Sequence, residues 1–174
     1  MGTEVNVLPA AIEAAKRRGG LVIAAVNEYM PYTFGDAEID VVLIDVMIEF
    51  DPPMPVAPVT TIDEQSAYIG QLVADRVEDG STLQAGIGAV PDATLHGLSG
   101  RRGLRVWTEM FSDSVLALEK VGALDRNVPI TPSFLFGSPE LMEWVDGNDR
   151  VRMVRTEVTN DPGRIAQNPK MLSV

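Results

Sequence analysis

Two groups of residues in the 174-residue chain have types and spacing suited to chemistry on an acyl or phosphoryl group. The first is Gly86-Ile87-Gly88-Ala89-Val90-Pro91-Asp92. It lies between an apolar run, Thr82 to Ala85, and a segment that Pro91 can open as a helix from its first position. Glycines there let backbone N–H groups turn toward a ligand, and the positive end of the following helix adds to their pull, so the loop suits a phosphate or a developing oxyanion. A tight strand-to-helix turn whose glycines only satisfy unusual dihedrals would read the same way. The second is Glu109, which ends the strand expected over Leu104 to Thr108, one crossover after the loop. Both would then sit at the carboxyl edge of a parallel sheet, where ligands bind in open α/β folds. A carboxylate beside oriented N–H donors can attack an activated acyl group covalently, or it can hold the ribose hydroxyls of a dinucleotide. A solvated strand-end glutamate is the bland alternative.

The dinucleotide reading takes Gly86, Gly88 and a glutamate about 20 residues on as part of the nicotinamide fingerprint. Pro91 stands where the third glycine belongs, so nicotinamide binding is the minor alternative. His96, the only histidine, follows Asp92 by four residues on the same expected helix, where the two side chains can meet. With no Gly-x-Ser-x-Gly elbow, a serine triad has little support. Asp36, Asp40 and Asp45 lack metal-ligand spacing, and no metal is expected. Met30, Met47, Met110 and Met142 suit core or pocket filling. Lys16-Arg17-Arg18 and Arg101-Arg102 could hold a few phosphates, although such clusters are commonly solvated surface.

The elements that must position these residues alternate. Leu8 to Arg18 reads as a helix ended by Gly19-Gly20, followed by apolar runs typical of buried strands at Leu21 to Val26 and Val41 to Phe50. Four prolines within Asp51 to Pro58 then rule out a helix or central strand and mark a linker. Thr61 and Glu64 have capping-box spacing, and Ile69, Leu72, Val73 and Val77 share one helical face up to Asp79-Gly80. Beyond it come strands at Thr82, Leu104, Ile130 and Val151 and helices from Pro91, Ser112 and Ser138. That order argues an α/β fold with a parallel or mixed sheet flanked by helices. The closing Met171-Leu172-Ser173-Val174 reads as the beginning of a strand, and a fragment truncated at both ends is expected.

Composition narrows the function classes. Apolar residues make up 45% and charged residues 22%, which fits a globular chain with a real core. Cysteine is absent, which removes disulfides, thiolate metal sites and cysteine nucleophiles. A formal net charge of −11 repels phosphate backbones and anionic membranes, so nucleic-acid or membrane partners are not expected. No apolar run approaches bilayer length and the start lacks signal-peptide features, so a cytoplasmic location is expected.

Gly86-Ile87-Gly88-Ala89-Val90-Pro91-Asp92-Ala93 and Thr108-Glu109-Met110-Phe111-Ser112-Asp113 together resemble the acetyl-CoA hydrolase and 4-hydroxybutyrate CoA-transferase family. Val26-Asn27, Gly35-Asp36, Glu78 to Gln84, Phe134-Leu135-Phe136-Gly137 and Ile165-Ala166-Gln167-Asn168 resemble further family positions in the family's order. The resemblance implies two related α/β halves. Residues 1–50 would be the C-terminal remnant of a first half, 51–60 the Pro-rich linker, and 61–174 the N-terminal part of a second half bearing the catalytic glutamate. It implies transfer of coenzyme A between short-chain acyl-CoA and carboxylic acids through a glutamyl-CoA thioester, or hydrolysis of acetyl-CoA, with a non-catalytic remnant of the fold as an alternative beside nicotinamide binding. Glu109 would be the nucleophile, and Gly86, Ile87, Gly88, Ala89, Val90 and Pro91 would contact the coenzyme A substrate. Trp107 stands where relatives commonly carry histidine, a departure that bears on acyl preference. A homo-oligomer acting on acyl-CoA and a small carboxylic acid is the expected assembly.

Overall fold

The computed structural model describes residues 1–58 and 60–174; Val59, inside the expected linker 51–60, lies outside them. Short strands alternate with helices in the order α1 (Leu8–Arg17), β1 (Ile23–Val26), β2 (Phe34–Gly35), β3 (Val46–Glu49), α2 (Glu64–Ala74), β4 (Thr82–Gln84), α3 (Ala89–His96), β5 (Arg105–Val106) and β6 (Met110–Phe111). They continue with α4 (Asp113–Lys120), β7 (Phe134–Leu135), α5 (Pro139–Val145), β8 (Arg152–Met153), α6 (Thr156–Thr159), α7 (Pro162–Gln167) and β9 (Met171–Ser173). Every strand ladder is parallel: β5-β4-β9, β6-β7, β2-β8 and β1-β3. The fold is therefore α/β, with parallel strands and crossover helices.

Single bridges join three of these short ladders, β5-β4-β9, β6-β7 and β2-β8, into one array. Trp107 pairs with Thr131 and Ile130 with Val151, so the chain runs side by side from β9 through β4, residues 104–111 and residues 130–135 to β8 and β2. An antiparallel bridge from Glu4 to Phe134 adds the N-terminal segment, with Val5 fully buried and its N–H donated to Ser133 O at 2.9 Å. The core is built from Leu83, Val106, Phe111, Leu135 and Met153 on these strands, with Leu95, Leu116 and Leu141 from the helices above them.

Two apolar segments behave differently from their composition. Leu21 to Val26 and Val41 to Phe50 are expected as buried strands, and β1 and β3 do pair, with Ile23 opposite Val46. Yet Ile23, Val46, Met47, Ile48 and Phe50 are all exposed, so the pair packs no core within the described chain. The second run also opens as a 3₁₀ turn over Val41–Leu43, because the Asp40 carboxylate accepts from Val42 N–H at 3.0 Å and caps it.

Helix α2 differs in its cap and its face. Asp63, not Thr61, caps it by accepting from Ser66 N–H at 2.7 Å. The buried face is Gly70 and Ala74, while Ile69 and Leu72 are exposed. Close approach to α3 explains this, since a Cβ on Gly70 would lie 2.5 Å from Ala93 Cβ and one on Gly97 would lie 2.8 Å from Ala74 Cβ. Helices that meet this tightly need their smallest residues at the contact. The helix also stops at Ala74, five residues before the expected Asp79-Gly80 exit.

Helix α3 begins at Ala89, two residues before Pro91. Gly88 is its cap with φ +120°, and Pro91 sits third in the helix, where its missing N–H would have had no intrahelical acceptor in any case.

Candidate active site at the carboxyl edge of the parallel strands

The glycine loop and Glu109 leave adjacent parallel strands at the same end. In the register of β4 and β5, Leu83 lies opposite Val106, and Trp107 N–H donates to Leu83 O at 3.0 Å. One step further along, the fully buried Thr108 grips the backbone of Ala85. Its hydroxyl accepts from Ala85 N–H at 3.0 Å and donates to Ala85 O at 2.9 Å. Gly86 follows Ala85 and Glu109 follows Thr108, so the two residues leave adjacent strands at matching positions. On the far side of β4, Gly86 N–H donates to Val174 O at 2.8 Å.

Backbone donors are available in the loop. Among the described residues the N–H groups of Ile87, Gly88, Ala89 and Val90 make no hydrogen bond to protein, whereas Gly86 N–H is already committed. Gly88 opens the turn without crowding, since a Cβ there would meet nothing within 4 Å. Within the stretch Gly86 to Pro91 expected to contact coenzyme A, the free backbone donors are thus Ile87 to Val90 among the described residues.

The half-buried Glu109 carboxylate is held at both oxygens. Asn6 Nδ2 donates to Oε1 at 3.0 Å and Asn160 Nδ2 donates to Oε2 at 2.9 Å. Each carboxamide has its own anchor: Thr156 Oγ1 donates to Asn6 Oδ1 at 2.8 Å, and Gln84 Nε2 to Asn160 Oδ1 at 3.4 Å. Ser173 Oγ in turn donates to Gln84 Oε1 at 2.7 Å. The glutamate is therefore fixed by groups from the N-terminal segment, β4, α6 and the residue after it. Asn6 and Asn160 cannot be found by local spacing, because chain folding alone brings them to Glu109. Trp107 is tied to the same helix, its Nε1–H donating to Thr159 O at 2.9 Å.

A cavity of about 650 Å³ is lined in part by Ile87 and Gly88 of the loop. Val56, Pro58, Ile87 and Phe136 give it apolar walls, and Asp92 and Asp113 are among its polar lining residues. Glu109 is not among the residues that line it. Both aspartates are occupied: Ser114 Oγ donates to Asp92 at 2.6 Å, and Ser138 donates to Asp113 through its N–H at 2.9 Å and its Oγ at 2.6 Å. His96 lies exposed on this cavity, with no hydrogen bond to Asp92 among the described residues.

The remaining candidates serve local structure. Asp36 accepts from Arg155 N–H at 2.8 Å, and Asp45 accepts from Lys16 Nζ at 2.7 Å and from Val22 N–H at 2.8 Å. Lys16 is thereby paired, and Arg101 Nη2 and Arg102 Nη1 donate to backbone carbonyls. Asn168 donates to Arg164 O at 3.1 Å. Among the described residues, no group of three or more His, Asp or Glu could hold a metal ion, and no helix is long and apolar enough to cross a membrane.

The chain is similar to known proteins in sequence and in fold. Residues 137–174 match the model of the acetyl-CoA hydrolase/transferase C-terminal domain. The succinyl-CoA:acetate/propanoyl-CoA:succinate CoA transferase of Fasciola hepatica is 38% identical over the whole chain, and the 4-hydroxybutyrate coenzyme A transferase of Clostridium kluyveri is 37% identical over 94% of it. These alignments take in 37% and 39% of the relatives, so the chain spans about two fifths of the length of the curated relatives it matches. In structure, 99% of the chain superposes on 40% of RipA from Yersinia pestis with a TM-score of 0.91 and 26% identity. It superposes likewise on 44% of a 4-hydroxybutyrate CoA-transferase from Porphyromonas gingivalis with a TM-score of 0.88 and 32% identity. In sequence and in fold alike, the chain is similar to a part of proteins of the acetyl-CoA hydrolase/transferase family.

Proposed function

We propose that this chain is the catalytic-glutamate segment of an enzyme that transfers coenzyme A between carboxylic acids, with Glu109 as the nucleophile. Residues 61–174 would open the second half of that enzyme, residues 1–50 would close the first, and 51–60 would link them. The observation that carries the reading is the pairing of Thr108 with Ala85, which aligns the strand leading to Glu109 with the strand leading to a loop of uncommitted N–H donors. The names of the relatives favour transfer over hydrolysis.

The chemistry follows from the groups present. A Glu109 oxygen attacks the thioester carbonyl, the C–S bond breaks, and a mixed anhydride and free CoA thiolate form. The thiolate attacks the glutamyl carbonyl, the anhydride C–O bond breaks, and a carboxylate leaves a glutamyl-CoA thioester behind. An incoming carboxylate reverses both steps with its own acyl group, whereas water would give hydrolysis. N–H groups of Ile87 to Val90 stabilise the oxyanion on the acyl carbonyl, and Trp107, where relatives commonly carry histidine, bears on which acyl groups fit.

The test is mass spectrometry of the complete enzyme after incubation with an acyl-CoA. A CoA adduct on the Glu109 peptide, absent in Glu109→Gln, is expected. An unmodified Glu109 in an enzyme that still turns over would overturn covalent catalysis, and binding of NADH without CoA would favour the dinucleotide reading.

A further inference from the structure

We propose that Thr159 is a positioning residue that sets the direction of Glu109 by pinning the backbone on both strands beside it; this rests on Glu109 being the nucleophile. The strand opposite Glu109 changes its bonding phase at that point. In an unbroken strand the N–H groups that face one neighbour recur every two residues. Here Thr131 N–H donates to Val106 O, and then the consecutive N–H groups of Ser133 and Phe134 both donate to the Glu109 carbonyl, at 3.0 and 2.8 Å. The other edge of the same strand shifts as well. The carbonyls of Ile130 and Pro132 accept from Arg152 and Val154, after which Ser133 O accepts from Val5 and Leu135 N–H donates to Thr3 O. Bonding on that edge passes from even to odd residues, so the strand turns about its axis between Pro132 and Ser133. A break in phase of this kind re-aims the side chains beside it, and Glu109 is the residue bonded across the break.

Thr159 holds the break from the end of α6. Its hydroxyl meets the Ser133 hydroxyl at 2.6 Å, and both residues are fully buried. Its carbonyl accepts the Trp107 indole N–H at 2.9 Å. One residue thus fixes the glutamate strand two positions before Glu109 and, on the opposite strand, the residue whose N–H bonds the Glu109 carbonyl. Thr159 is itself anchored, since its N–H donates to Arg155 O at 3.0 Å and Arg155 N–H donates to Asp36 at 2.8 Å.

An attacking carboxylate must approach the acyl carbon along a narrow line, so a small turn of its backbone costs rate. The groups that bind the acyl-CoA lie elsewhere and are left as they were. Loss of the Thr159 hydroxyl should therefore act on the chemical step and not on affinity.

The test measures, in the complete enzyme, single-turnover formation of the glutamyl-CoA adduct, acyl-CoA Kd and the urea midpoint. Thr159→Val keeps the shape but leaves the Ser133 hydroxyl without its partner. It is expected to slow adduct formation by about 10- to 100-fold with Kd changed less than about threefold, and to lower the midpoint. Thr159→Ser should restore both rate and midpoint. The double variant Thr159→Val with Ser133→Ala removes both hydroxyls and strands neither. Its midpoint is expected to recover most of the loss while adduct formation stays at least about tenfold slow, and it carries the test should the single variant fail to fold. Rate and midpoint that recover together in the double variant, wild-type adduct rates in Thr159→Val, or a loss confined to Kd would overturn the role of Thr159 and leave Glu109 as the nucleophile. A wild-type enzyme that turns over without forming any adduct would overturn the Glu109 reading and this inference with it.

Discussion

Thr108 hydrogen-bonds both backbone groups of Ala85 through a single hydroxyl, and that double contact sets the spacing between the glutamate strand and the glycine loop. Thr108→Val keeps the shape but leaves a buried N–H and C=O without partners. A loss of about 2–3 kcal/mol in stability is expected, with Thr108→Ser recovering most of it, read by urea unfolding. Near-wild-type stability in the valine variant would refute the clamp.

Gly88 holds φ +120° and ψ 179°, a conformation that belongs almost wholly to glycine. Because an added Cβ would meet no atom within 4 Å, any cost of Gly88→Ala is purely conformational. The variant is expected to lose about 1–3 kcal/mol or to relax by reshaping the loop. The second route would leave unfolding unchanged and lower turnover, so both measurements are made on the same protein.

Arg150 ties three segments together. Its Nε and Nη2 donate to the two oxygens of Glu119, each at 3.1 Å, and its Nη1 donates to the carbonyls of Asp125, Arg126 and Val128. A lysine has no planar fork with which to span carboxylate and carbonyls at once. Arg150→Lys is expected to cost about 2–3 kcal/mol, and an unchanged Tm would refute the argument.

Acid should weaken the N-terminal elements. The hydrogen bond from Lys16, with help from Val22 N–H, holds the Asp45 carboxyl below its ordinary value of 3.8. Ser66 does the same for Asp63 and Lys170 for Glu78. A carboxyl with a depressed folded value adds stability above its unfolded value and loses it as pH falls through the folded one. Urea midpoints are therefore expected to be flat above about pH 5 and to drop below about pH 4. Asp45→Asn should make that drop shallower, and an identical acid limb would count against the pairing.

Much of the site was legible because its signals are local. Glycines between a strand and a helix, and a glutamate one crossover later, define an edge of a parallel sheet, and the structure brings both to that edge. Ser138 likewise caps α5 as its position before Pro139 implies. What stayed hidden depends on long-range packing. Gly70 and Ala74 look like weak points of α2 until α3 lies against them, and hydropathy therefore selects the wrong face. Ile23 and Ile48 look buried because composition reports apolarity and not the presence of a neighbour. Asn6 and Asn160 carry no periodic or motif signal at all.

The long-range registers have a kinetic consequence. Phe34 must find Arg152, Glu4 must find Phe134, and Thr82 must find Met171 before the central strands have partners on both sides. Each meeting closes a long loop, and little local hairpin structure is available to nucleate it. Such high contact order makes for slow folding. During that interval the apolar edges of β1 and β3 lie open to intermolecular pairing, so refolding yield should depend on protein concentration.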